Sequence, residues 1–358
     1  MNFLGLQRSL LWRQGLVLIT VLVSGALAAE GQYGRSTLVI TSTNDANSNA
    51  VVTFQLNGGV TPSLTLAKIL PTGGKGGASG NAGIVQFDGE LGAVANFGSN
   101  TVSELVRYGN SIVPAGTIRL APDCAGPDSV ALANRHLLVV GTNCAESHAW
   151  PRGYLDGSVV SLPDNSAAQI AAGESWAAVT LKSGSVLQMP LAGDGGLSGA
   201  SNLITLPAEA NNTPLGEAFW GDVLGLTPAH SPDSFAIVNA KQDVYPIVGP
   251  APAYPTNAPC WVAKGPKSLW YTGNSPGQAI SIFFSDAEGG VFYKSVPLPG
   301  MPTDIAVSGD RKWLAVIYTA GDGAHVGVFS IDDYGDLKHV ADSAAIGVAS
   351  FNGVAFSQ

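Results

Sequence analysis

The sequence is short of charge. Lys, Arg, Asp and Glu make up 12% of its 358 residues, and only 17 of them are basic, so the basic clusters that hold a nucleic acid are missing and nucleic acid is not an expected partner. Cysteine is scarce too. Three cysteines are too few for a disulfide-dense scaffold and allow one bridge with one residue left over. Neither an H-E-x-x-H zinc motif nor an EF-hand loop is present. Beyond the first 28 residues no helical periodicity of useful length occurs, and no apolar run is long enough to cross a bilayer.

What is abundant is hydrophobic residues, at 46%, and glycine, at 45 positions, the composition of a compact chain with many tight turns. Residues 1–28 read as a secretory signal: Arg8 and Arg13 are followed by an apolar stretch from Leu16 to Val23 and by Ala26-Leu27-Ala28 as cleavage site. Residues 29–358 then form one domain outside the cytoplasm, secreted or periplasmic, with no transmembrane segment and expected to be monomeric.

Self-similarity organises that domain. A pattern of an apolar residue followed by Ala, usually introduced by a preceding Pro, recurs at Ile84-Val85, Val130-Ala131, Ile170-Ala171, Glu217-Ala218, Val262-Ala263, Ile305-Ala306 and Val354-Ala355, with Val85 and Glu217 as departures from it. The spacings of 46, 40, 47, 45, 43 and 49 residues are those of a four-stranded propeller blade. Each copy leads to a turn, an apolar run, a loop and an alternating run. Thr303 to Val307, Trp313 to Tyr318 and Val326 to Ile331 show the plan, as do Ile84 to Phe87, Ala93 to Phe97 and Thr101 to Val106. The pattern predicts an all-β, seven-bladed β-propeller. Its last copy stops at the C-terminus, whereas the strands in residues 37–69 have no inner strand ahead of them, so the C-terminal segment should close the ring by joining the N-terminal blade.

In such a blade the loop entering the inner strand and the loop between the second and third strands share a face. That rule places Cys124 and Cys144 together as the disulfide and leaves Cys260 free. It also gathers candidate residues at one mouth of the central channel: Asn81, Asp128, Asn143, His148, Arg152, His230, Trp261 and Asp304. Residues 143–156 read as a long loop over that mouth. Glu217 stands where six copies have Ile or Val; a buried carboxylate there must find a partner or a proton, which suits general acid or base work. Trp220 reads as core. The run Asn44 to Asn49 has oxygen donors enough for Ca²⁺ or serves as a tight turn; no other metal or cofactor is expected. Gly73 to Gly77 reads as a flexible connection.

Three stretches carry a resemblance. Thr213-Pro214-Leu215-Gly216-Glu217-Ala218-Phe219, Ala258-Pro259-Cys260-Trp261-Val262-Ala263 and Ala95 to Ser103 resemble secreted bacterial members of the lactonase-like propeller family, over essentially the whole chain after the signal. The resemblance implies a seven-bladed propeller and, as in some relatives, opening of a sugar or muconate lactone. The Pro-Arg-His and Asn-Glu-Leu runs of the 6-phosphogluconolactonase branch are absent, with Pro127-Asp128-Ser129 and Pro259-Cys260-Trp261 in place of the first, which argues against a phosphorylated substrate. Two functions follow. One is a lactone hydrolase, with His148 or Arg152 polarising a carbonyl, Glu217 or Asp128 activating water, and Trp261, Asp304, His230 and Asn143 around the ligand. The other is a non-catalytic scaffold that binds a small ligand or a protein partner on the same face.

Overall fold

Alternating apolar and polar runs punctuated by turns leave the chain few options beyond antiparallel sheets, and a ring of sheets leaves the fewest open edges. The computed structural model describes residues 36–151, 153–231, 234–248, 258–347 and 351–358; the expected signal peptide lies outside them. Among the described residues there are seven four-stranded antiparallel sheets and a single short 3₁₀ turn, Phe97–Ser99. No described helix is long and apolar enough to cross a membrane.

The inner strands, blade by blade, are Asn352–Ser357, Val85–Asp88, Ser129–Ala133, Ala167–Ala172, Pro214–Trp220, Pro259–Lys264 and Met301–Val307. Each packs beside the next, and the last packs beside the first, so the molecule is a closed seven-bladed propeller. Blade one is completed across the chain ends: Asn352–Ser357 pairs antiparallel with Thr37–Ser42, with Leu38 opposite Ser357, Val39 opposite Phe356 and Ile40 opposite Ala355. Arg107 of blade two clasps this junction. Its Nη1 donates to Ser357 Oγ at 3.3 Å and its Nη2 to the Ser36 carbonyl, while Ser357 Oγ donates to the Gly89 carbonyl at 2.7 Å.

The repeat column explains the packing. Ile84, Val130, Ile170, Val262, Ile305 and Val354 are all buried, forming an apolar layer between successive blades near the axis. The small residue that follows most of them leaves open the channel that the inner strands surround.

Blade three departs from expectation. Cys144–Ala149 is its third strand, joined to His136–Val140 by only three residues. The long insertion therefore follows this strand and runs toward Val160–Ser161, the fourth. The sequence Cys-Ala-Glu-Ser-His-Ala lacks the apolar alternation of a strand because its buried side chains are polar and bond to one another or to backbone. Connections after a third strand lie on the face opposite to the entry loops, so the insertion sits there as well.

Candidate functional site

The entry end of the central channel is filled by the chain itself. Two runs that stand out in composition build the support. Asn44 Nδ2 donates to the Ala78 carbonyl at 2.8 Å and Asn44 Oδ1 accepts from Gly77 N at 2.9 Å, while Gly76 N donates to the Asp45 carbonyl and Asn49 N to that of Gly74. The glycine run, expected to be flexible, is thus pinned against the asparagine run. Asp45 Oδ1 accepts from Asn47 N and Ser48 N in a tight turn, and Asn49 Nδ2 bonds to Asn96.

From this support residues 78–83 cross the axis. Ala82 N donates to the Ala168 carbonyl of blade four at 3.2 Å. Asn81 donates to the Asp128 carbonyl of blade three and accepts from Asn352 Nδ2 of blade one. Trp261 of blade six donates its indole N–H to the Asn81 carbonyl at 3.4 Å, and Lys182 Nζ reaches the Gly80 carbonyl at 3.1 Å. Asn81 and Ala82 are buried. Gly83, at φ +70°, passes so close to blades three and four that a Cβ there would meet Ser129 Oγ at 2.7 Å and Gln169 Nε2 at 3.1 Å; only glycine combines that conformation with that approach.

Beneath this plug lies a cavity of about 490 Å³. Gly83, Gln169, Glu217 and Asp304 border it at the plugged end, and Asp88 and Gln358 belong to its opposite end, where Asp88 is exposed. Phe87, Phe219 and Phe356 add aromatic walls, and among the described residues no Lys, Arg or His lines it. The channel is a blind pocket open on the face of the first turns.

Two of the expected site residues border this pocket. Glu217 is buried and neither carboxylate oxygen has a well-formed hydrogen bond; burial pushes its pKa well up against the pull of the Ala171 and Thr180 amides. Gln169 grips the same residue by its backbone, accepting from Glu217 N at 2.8 Å and donating to its carbonyl at 2.9 Å. Asp304 accepts from Ile305 N at 2.8 Å and Val354 N at 3.2 Å. Burial raises its pKa to about 7, opposed by the amides of Ile305, Val354, Gly83 and Gly353, which tie blades seven, one and two together.

The others lie elsewhere. Asp128 and Trp261 flank the plug; burial raises the Asp128 carboxyl to about 6, with Lys182 opposing. Asn143 braces the loop of Cys124, accepting from Ala125 N and donating to the Asp123 carbonyl. His230 is exposed and bonds Thr213 Oγ1 at 2.8 Å. His148 is buried in blade three, its Nε2 2.7 Å from Glu146 Oε1, and does not line the pocket. Arg152 lies outside the described residues. The expected gathering at one mouth is therefore a division between pocket, plug and outer blade. Cys124 and Cys144 are joined as a disulfide and Cys260 is free. Trp220, expected in the core, is 38% exposed and carries Lys264 Nζ 4.7 Å over its ring.

Sequence reasoning missed Gln169, a lone amide in an apolar strand, and, although it placed Asn81 at the entry mouth, missed that residues 78–83 fill that mouth. Gly273-Asn274-Ser275-Pro276-Gly277 matches G-x-S-x-G literally. It turns between two strands of blade six, without the strand-to-helix elbow that exposes a nucleophile.

No family model matches the chain, and no curated protein does. Among solved structures, a candidate 6-phosphogluconolactonase of Bacteroides fragilis superposes with a TM-score of 0.66 at 12% identity, over 92% of this chain and 99% of that one. A Lactobacillus plantarum protein gives 0.68 at 14%, over 90% and 99%. Virginiamycin B lyase from Staphylococcus aureus gives 0.57 at 16%, over 77% and 91%. The chain shares the propeller fold of these structures. At such identities the likeness concerns the fold alone, and the chemistry must be argued from the pocket.

Proposed function

We propose that this chain is a lactonase-like propeller acting outside the cytoplasm, whose blind central pocket binds a small uncharged ring compound. The observation that carries the reading is the lining: about 490 Å³ of space bordered by amides, carboxyls and aromatic rings, with no basic side chain among the described residues. The size suits a small molecule. A phosphorylated or carboxylated ligand would meet carboxyls and no cation, whereas a neutral lactone finds hydrogen-bonding groups deep in the pocket and apolar walls around it. The Cys124–Cys144 bridge supports an oxidising compartment.

Hydrolysis is favoured by one feature. A carboxyl with a pKa of about 7, as at Asp304, is partly ionised at neutral pH and suits activation of water toward a lactone carbonyl. Binding without turnover is the alternative.

Equilibrium binding of uncharged aldonolactones, compared with their 6-phosphates, tests the reading. The neutral compounds should bind at least about tenfold more tightly, and Ala171→Trp, which fills the pocket, should abolish binding. Equal or tighter binding of the phosphates, or full binding by Ala171→Trp, contradicts it. Turnover lost in Asp304→Asn or Glu217→Gln identifies an enzyme of the pocket, and binding without turnover a scaffold. Turnover that depends on His148 would move the chemistry to blade three.

A further inference from the structure

Away from the pocket, blade three buries an unusual group of side chains. The sulfurs of Cys124 and Cys144 and a carboxylate oxygen of Glu146 all lie within 4.8 Å of one another, and the three residues are 2%, 2% and 0% exposed. Glu146 is held in place from both sides. Ala121 N donates to its Oε2 at 3.0 Å and His148 Nε2 lies 2.7 Å from its Oε1.

We propose that in the dithiol state Cys124, Cys144 and Glu146 bind divalent zinc, so that reduction exchanges the covalent cross-link for a metal one. Two thiolates and a carboxylate are zinc donors, and three such ligands leave the fourth tetrahedral position to water. Ligand atoms around zinc stand about 3.3 to 3.8 Å apart, given bonds of about 2.0 to 2.3 Å. The Glu146 oxygen, within 4.8 Å of both sulfurs, reaches that range by side-chain rotation, and the sulfurs, once their bond is broken, separate to it with the cysteine Cα atoms, 5.5 Å apart, in place.

His148 braces the carboxylate. Its Nδ1 faces the Gly153 carbonyl at 3.3 Å and its Nε2 faces Glu146. His148 is thus a positioning residue, the outer partner that orients a metal-binding carboxylate.

The chemistry balances. A dithiol reductant passes two electrons and two protons to the Cys124–Cys144 bond and closes to its own disulfide, leaving two thiols. Zinc then displaces the two thiol protons and binds both thiolates. The newly made chain, before its bridge forms, is in the same dithiol state.

The test uses the full chain with Cys260→Ser, reduced with a phosphine, and cobalt(II) as the coloured stand-in for zinc. One equivalent should give a thiolate-to-cobalt charge-transfer band that zinc abolishes, while the oxidised protein gives none. Glu146→Gln should weaken zinc binding at least about tenfold, and His148→Ala should weaken it with the band retained. Absence of the band from reduced, folded protein, or binding indifferent to Glu146→Gln, overturns the proposal. If reduction loosens the fold, zinc and not calcium must restore the strand circular dichroism; failure to do so overturns it equally. The pocket reading is untouched by any of these outcomes.

Discussion

Glu217 occupies a position that six blades fill with Ile or Val, and it shows what one residue does to a repeat. Its folded pKa is raised, as are those of Asp304, to about 7, and Asp128, to about 6. A carboxyl that holds its proton more tightly when folded contributes stability below its unfolded pKa of about 4, and the contribution is lost as pH rises through the folded value. Urea unfolding should therefore show stability falling between about pH 4 and pH 7. Glu217→Gln keeps the shape without the charge: it should match the native protein at pH 5 and exceed it at pH 8, with a flatter profile. A uniform loss of about 2 kcal/mol or more at both pH values would mean that the carboxylate is needed as an anion. The anomaly at Glu217 was legible because seven aligned copies gave a column to depart from. Its position beside the pocket was legible too, since inner strands surround the axis. Gln169 stands one residue before its own column, Ile170, so the alignment gave no contrast to mark it.

At the scale of elements, the plug decides which end of the channel is open. Gly83→Ala would add a Cβ at 2.7 Å from Ser129 Oγ in a left-handed conformation and should cost roughly 1–3 kcal/mol. Gly59→Ala, with nothing within 4 Å, should change the thermal midpoint little. Equal midpoints for the two variants would show that the plug is not packed as described. Asn81→Ala removes bonds to blades one and three and should cost about 1–3 kcal/mol, measured by the same unfolding transition. Strand boundaries in the regular blades were legible from period-two patterning. The third strand of blade three was not, because Glu146, Ser147 and His148 are buried polar residues whose partners come from distant parts of the chain. For the same reason His148 read as a loop residue over a mouth that is in fact filled. That Asn81 and Trp261 share the entry mouth was legible, but the plug was not, because its bonds run to four blades across the ring and no local pattern encodes the contact between those two residues.

For the whole molecule, the number of blades and the meeting of the chain ends followed from counting: seven copies of an inner strand, one at the very end, and an opening blade that lacked its own. Val354, Ala355 and Phe356 are at most 8% exposed, and burying a Val or Phe side chain contributes about 1.5–3 kcal/mol. With the strand pairing and the Ser357 latch added, the last strand should account for more than about 5 kcal/mol, comparable with the total stability of many domains, about 5–15 kcal/mol. The direct measurement is urea unfolding of a chain ending at Phe351 beside the full chain. Ring closure predicts that the shortened chain is largely unfolded without denaturant and recovers strand structure when a peptide of residues 352–358 is supplied. A shortened chain that unfolds at the same urea concentration as the full one, with the same cooperativity, would contradict it.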